Sequence, residues 1–139
     1  ENKSMKTYIG TKLVKAELME HGYKVVYENG YTSWSPKEVF EKSYLELITN
    51  PKLPTQKPSI SQEMVNDFIV GYEVFTKQEK ITIVIATLRN GFTIVESSAC
   101  VSRDNYSEEI GGEICKKRIV GKVWNHLGFL LQTAVGSDS

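Results

Sequence analysis

The sequence is short of the residues that usually carry chemistry. It has two histidines and two cysteines in 139 residues. His21 and His126 lie in different halves, and neither has a metal-ligating partner three or four positions after it. Cys100 and Cys115 lack the close spacing of a zinc knuckle or a redox pair, so they read as buried thiols of a reducing cytosol. No charge is in excess: 17 Lys and Arg balance 17 Asp and Glu. Residues 1–58 hold 9 basic and 7 acidic side chains, and residues 59–139 hold 8 and 10. The field that draws a protein onto duplex nucleic acid is therefore missing, and no duplex partner is expected. No apolar run approaches the roughly 18 residues needed to span a bilayer, so no membrane partner is expected either. No Walker loop, dinucleotide fingerprint or Gly-x-Ser-x-Gly elbow occurs, and no cofactor is expected. The start "ENKSMKTYIG" lacks the apolar stretch of a secretory signal. Met5 reads as a natural start, residues 1–4 as a remnant outside the fold, and the cytoplasm as the compartment.

Proline is also scarce, and its placing is informative. Three of the four prolines fall in "TNPKLPTQKPS", which has almost nothing apolar and reads as a linker. It divides the chain into a hairpin and helix module over 5–48, a linker over 49–59 and a second unit over 60–135. In the first module Val14, Ala16 and Leu18 alternate with Lys15 and Glu17, the pattern of a half-buried strand. Tyr23, Val25 and Tyr27 share one face of the next strand, and Asn29-Gly30 predicts a type I′ hairpin turn. In "YTSWSPKEVF", Ser35, Pro36 and Glu38 have the spacing of a capping box, with Trp34 and Val39 as its hydrophobic staple. The helix that follows, to about Ile48, should bury Phe40, Tyr44 and Leu47.

In the second unit Val65, Phe68, Ile69, Tyr72 and Phe75 recur at helical spacing, with Gly71 weakening the pattern. Ile81 to Leu88 is apolar at nearly every position, as in a strand covered on both faces, and Asn90-Gly91 marks a second hairpin. Asn105 and Glu108 repeat the capping logic before a long helix from about Tyr106 to Gln132. Its stripe is Ile110, Ile114, Val120, Val123, Trp124, Leu127 and Leu131, and Gly111-Gly112 and Gly121 predict a break or a close packing contact. The fold class is α+β: two small units, each an antiparallel Asn-Gly hairpin packed with helices, β-β-β-α and then α-β-β-α. The shared Asn-Gly and aromatic-Thr text suggests two units with one turn solution.

Candidate binding groups are few. Tyr31 and Trp34 lie near a turn, where aromatic rings can stack on a base, although core packing and the staple explain them as well. Ser97 and Ser98 precede Arg103 and Asn105 at a helix start, a setting that favours anions and lets Arg103 grip a phosphate; capping alone is the simpler reading. "KKR" at 116–118 reads as a solvated helix face. An enzyme would have to use Glu96, Asp104 and Glu108, whose geometry nothing in the sequence fixes.

The segments "ISQEMV", "TLRNGFTIVESSACV", "NYSEEIGGEICKK" and "VWNHLGFLLQ", within residues 58–132, follow in order the pattern of a family of small phage proteins. The chain resembles that family, named for gene product 49 of one phage and gene 66 of another. It departs from the pattern at Ser97, where glycine is usual, and in "HLGF", which lacks one acidic residue. The first half, with its Trp-x-Pro-x-x-x-Phe ending, is similar to the second Thoeris anti-defence family, whose members sequester a cyclic ADP-ribose-type signal without cleaving it. That resemblance implies a non-enzymatic homo-oligomer in the infected bacterial cytoplasm that sequesters a nucleotide signal. Its contacts would come from Tyr31, Trp34, Ser35, Arg89, Ser97, Ser98, Arg103 and Asn105. The alternative is a module that binds a host or phage protein through a hairpin edge or a helix and takes no small molecule.

Overall fold

A computed structural model describes residues 4–137, so residues 1–3 of the expected remnant lie outside the described part. The chain is α+β, with two antiparallel three-stranded sheets of order β1-β2-β3 and β4-β5-β6. It clusters into two compact units. One runs to Glu46 and also takes in the chain from Leu130 onward; the other is Leu47–Phe129. None of the helices in the described residues is long and apolar enough to cross a membrane.

The first sheet comprises β1 (Lys15–Met19), β2 (Gly22–Val26) and β3 (Thr32–Pro36), followed by a short helix α1 (Lys37–Ser43). The predicted β-β-β-α order is present. Tyr23 stacks on Phe40 at 4.2 Å between ring centres, and Phe40 stacks on Tyr44 at 4.7 Å. This ladder and the buried Val25 form the packed side of the sheet. β1 is exposed along its whole length, against the expectation of a half-buried strand. The cause is the shortness of α1, whose seven residues lie against β2 and β3. The capping box is absent too. Ser35 belongs to β3, Pro36 takes the cap position with φ −57° and ψ 145°, and no side chain caps the helix. Trp34 and Val39 are 52% and 57% exposed, so they do not form the staple. Pairing with β2 holds residues 32–36 in extended backbone, which delays the helix by the length of the predicted cap.

The second unit opens with α2 (Gln62–Phe68), capped by Ser61, whose hydroxyl accepts the Met64 N–H. Where helical spacing predicted one element to Phe75, the chain turns at Ile69 into β4 (Ile69–Lys77). The run is rich in β-branched and aromatic residues, and its apolar spacing fits either element; pairing with β5 decides it. The unit is therefore α-β-β-β-α. β5 (Ile81–Leu88) is the central strand and β6 (Thr93–Ala99) the far edge. One side of β5 is buried at Thr82, Val84, Ala86 and Leu88; on the other, Ile81, Ile83 and Ile85 are only half-buried, so the expected double cover is partial.

A 3₁₀ turn (Arg103–Asn105) then leads into α3 (Glu108–Val135), 28 residues long. Ser102 caps the turn and Ser107 caps the helix, its hydroxyl accepting the Ile110 N–H at 3.2 Å, so Asn105 is not the cap. The buried stripe is Gly111, Gly112, Cys115, Ile119, Val123 and Leu127. Val123 and Leu127 were expected there, whereas Ile110 and Ile114 face solvent at 64% and 40% exposure. Of the three glycines expected to mark a break or close contact, Gly121 has open space where a Cβ would stand, whereas Gly111 makes a close contact. A Cβ there would run into the hydroxyl of Thr82 and lie 2.8 Å from its Cβ. Cys115 is buried as expected and Cys100 is only half-buried.

Candidate functional site

Each Asn-Gly hairpin uses a three-residue loop in place of the predicted type I′ turn. Tyr27 N–H donates to Tyr31 O and Leu88 N–H to Phe92 O, each closing its loop. Gly30 and Gly91 alone take positive φ, at 86° and 88°, while Asn29 and Asn90 accept the N–H two residues on. This is a type I turn closed by a left-handed glycine. Type I′ dihedrals appear instead at Gln78 (φ 54°) and Glu79 (φ 60°), between β4 and β5.

These turns set where the candidate residues lie. In the first sheet Tyr31 stacks on Tyr27 at 5.7 Å, and Tyr27 bonds Ser33. Lys12 also sits over Tyr27, 4.6 Å from its ring centre. Trp34 is on the opposite side of β3, opposite Lys24 in the strand register. Strand alternation therefore keeps Tyr31 and Trp34 from gripping one ring between them. Ser35 lies on the packed side, opposite Tyr23.

In the second sheet Arg89 stands at one end of β5, with its N–H bonded to Phe68 O at 2.8 Å. Arg103 stands at the other end. Its Nε donates to Gln78 O at 3.3 Å and lies 3.4 Å from Glu79, so its guanidinium clamps the β4–β5 turn. The two arginines thus do not converge. Ser97 and Ser98 point to opposite sides of β6, and Ser97 uses its carbonyl to accept Arg118 Nη1 at 2.9 Å. Asn105 is exposed in the 3₁₀ turn.

Two polar constellations were missed by the sequence reading. Glu96, whose side chain is only 14% exposed, faces α3 between Arg118 and Lys122. Arg118 is therefore engaged, and Lys116 lies 5.0 Å from the Tyr72 ring centre, so "KKR" is not simply a solvated face. At the other edge, Tyr106 OH bonds Thr76 at 2.7 Å and Thr82 at 2.9 Å, while Thr76 also donates to Glu108. This knot fastens the start of α3 to β4 and β5. Both constellations join residues more than 20 positions apart, so no local spacing announces them. Burial pushes the Cys115 thiol up, and burial with Glu113 nearby does the same to the Tyr72 phenol. The hydrogen bond to Glu41 raises Tyr23.

The side of β4–β6 that faces away from α3 is an open surface. None of its residues is buried. Phe75 (38% exposed) and Val95 (56% exposed) flank Ile83 and Ile85. No group of three His, Cys, Asp or Glu among the described residues could hold a metal ion. No curated protein and no solved structure matches the chain. Residues 60–135, more than half of the sequence, match the Phage protein (N4 Gp49/phage Sf6 gene 66) family, and the chain belongs to that family.

Proposed function

We propose that this phage protein works by holding a partner without transforming it, and that the partner is a protein seated on the open side of the β4–β6 sheet. One observation carries the reading: Phe75, Ile83, Ile85 and Val95 form an apolar strip with no buried residue, rimmed by Glu73, Lys77, Thr93 and Ser97. A contiguous apolar patch with a polar rim is the usual mark of a protein contact. The test is capture from host lysate by the immobilised chain, compared with Phe75→Lys and Val95→Lys. A protein retained by the wild type and lost with both folded variants supports it; identical capture by all three rules it out.

A second reading is sequestration of a cyclic nucleotide or ADP-ribose-type immune signal, in line with the anti-defence likeness of the first half. Its support is Trp34, whose indole is 52% exposed with Lys24 directly across the strand pair. A ring for a base beside an ammonium for a phosphate is the simplest nucleotide platform. Equilibrium dialysis against a panel of cyclic nucleotides decides this reading. It requires uptake by the wild type and loss of uptake in Trp34→Ala.

A further inference from the structure

We propose that β4 is the pairing edge of a homodimer, joining antiparallel to β4 of a second copy about a twofold axis at Phe75. Among the described residues β4 is hydrogen-bonded to β5 alone, so none of their strands lies beside its outer edge. It is nine residues long, and every residue after Ile69 is exposed. Val70 (61%), Tyr72 (37%), Val74 (37%) and Phe75 (38%) show apolar surface on both sides of the strand. Proteins blunt a free edge by shortening, bulging, charging or covering it. Here an irregularity between Ile69 and Gly71 disrupts only the start, and the run from Tyr72 to Lys77 is regular.

The occupant follows from the charge pattern. Glu73, Phe75 and Lys77 share one side of the strand, and neither charged group is ion-paired among the described residues. In an antiparallel pair centred on Phe75, Glu73 lies opposite Lys77 of the second copy, Lys77 opposite its Glu73, and the two Phe75 rings meet. A pair centred on Glu73 would oppose two carboxylates, and one centred on Lys77 two ammoniums. Opposite charges directly across a strand pair stabilise it and like charges weaken it, so the pattern selects the Phe75 register. The surface is self-complementary, as a twofold contact requires. Joining the two three-stranded sheets leaves their open sides free and makes them continuous. The dimer stands whether or not that side holds a protein.

Sedimentation equilibrium on the full chain tests this. The wild type should dimerise. Glu73→Lys and Lys77→Glu should each weaken the dimer roughly tenfold or more, since each loses two symmetric pairs and sets like charges together. The double variant Glu73→Lys/Lys77→Glu should recover wild-type affinity. Mixing the two single variants should give a heterodimer, because one strand then carries lysine at both positions and meets a strand with glutamate at both; an unfolded variant could not do this. A wild type that stays monomeric at about 1 mM overturns the proposal. So does a dimer that both single variants leave intact, or single variants that fail to complement each other.

Discussion

Side by side, the β1–β3 and β4–β6 sheets turn at Asn29-Gly30 and Asn90-Gly91 with the same closing hydrogen bonds and the same left-handed glycine. What packs on them differs. The first has a seven-residue helix and one buried aliphatic side chain, Val25, with an aromatic ladder beside it. The second has the body of a 28-residue helix and buries Val84, Ala86, Leu88, Ile94, Cys115, Ile119, Val123 and Leu127. The same hairpin chemistry thus serves two levels of burial. Turn residues fix where a hairpin reverses, and the apolar area removed from water fixes how strongly it is held.

The two tryptophans let this difference be measured, because Trp34 reports on β3 and Trp124 on α3. With Trp34→Phe in the background, Ile119→Ala should lower the stability read at Trp124 by about 2–5 kcal/mol, since Ile119 is fully buried. With Trp124→Phe in the background, Phe40→Ala should cost about 1–2 kcal/mol at Trp34, because that ring is only half-buried. Urea melts followed by fluorescence give both values. If Ile119→Ala moves both reporters equally, the units unfold as one body and the contrast between them is not one of stability.

A smaller effect separates the two helix glycines. Gly111→Ala gains about 1 kcal/mol of helix propensity but drives a methyl into Thr82 at a cost of about 2–3 kcal/mol, for a net loss of about 1–2 kcal/mol. Gly121 has open space where its Cβ would stand, so Gly121→Ala should stabilise by about 0.5–1 kcal/mol. Thermal melts of the two variants should move in opposite directions. Equal shifts would mean that Thr82 rotates away at little cost and that the tight contact does not hold α3 to β5.

Where local chemistry decided an element, the sequence was readable. The places of both Asn-Gly hairpins, though not their turn type, the strand Ile81–Leu88 and the close approach at Gly111 follow from residue type and spacing. Where pairing partners decided, it was not. Tyr72 and Phe75 fit a helix stripe as well as a strand, and only β5 settles the matter. Ser35-Pro36-Glu38 has the letters of a capping box, but β2 keeps Ser35 extended. Among the candidate site residues, the place of Arg103 shortly before a helix could be read, but its engagement with Gln78 O could not, since that carbonyl lies 25 residues away. The open side of the second sheet was hidden for the same reason: alternation shows which residues share a side, and only the placing of α3 shows which side is left bare.

The smallest effect concerns the β4–β5 turn, which has no glycine. Gln78 and Glu79 both take left-handed backbone there, a conformation that costs a side-chain-bearing residue about 1 kcal/mol or more. Glu79→Gly removes that strain at one position and gives up the contact with Arg103, in which the arginine and glutamate side chains are 64% and 82% exposed. Such an exposed pair contributes little, and the freer unfolded chain of a glycine takes back part of the gain. The net expectation is a stabilisation of about 0.5 kcal/mol, read as a higher urea midpoint at Trp124 with unchanged slope. Arg103 keeps its bond to Gln78 O in this variant, so a loss of stability would assign the clamp to the Glu79 carboxylate. The β4–β5 turn, closed by Lys80 N–H to Lys77 O at 3.2 Å, would then also lean on a side-chain clamp, where the turns at Gly30 and Gly91 have a left-handed glycine.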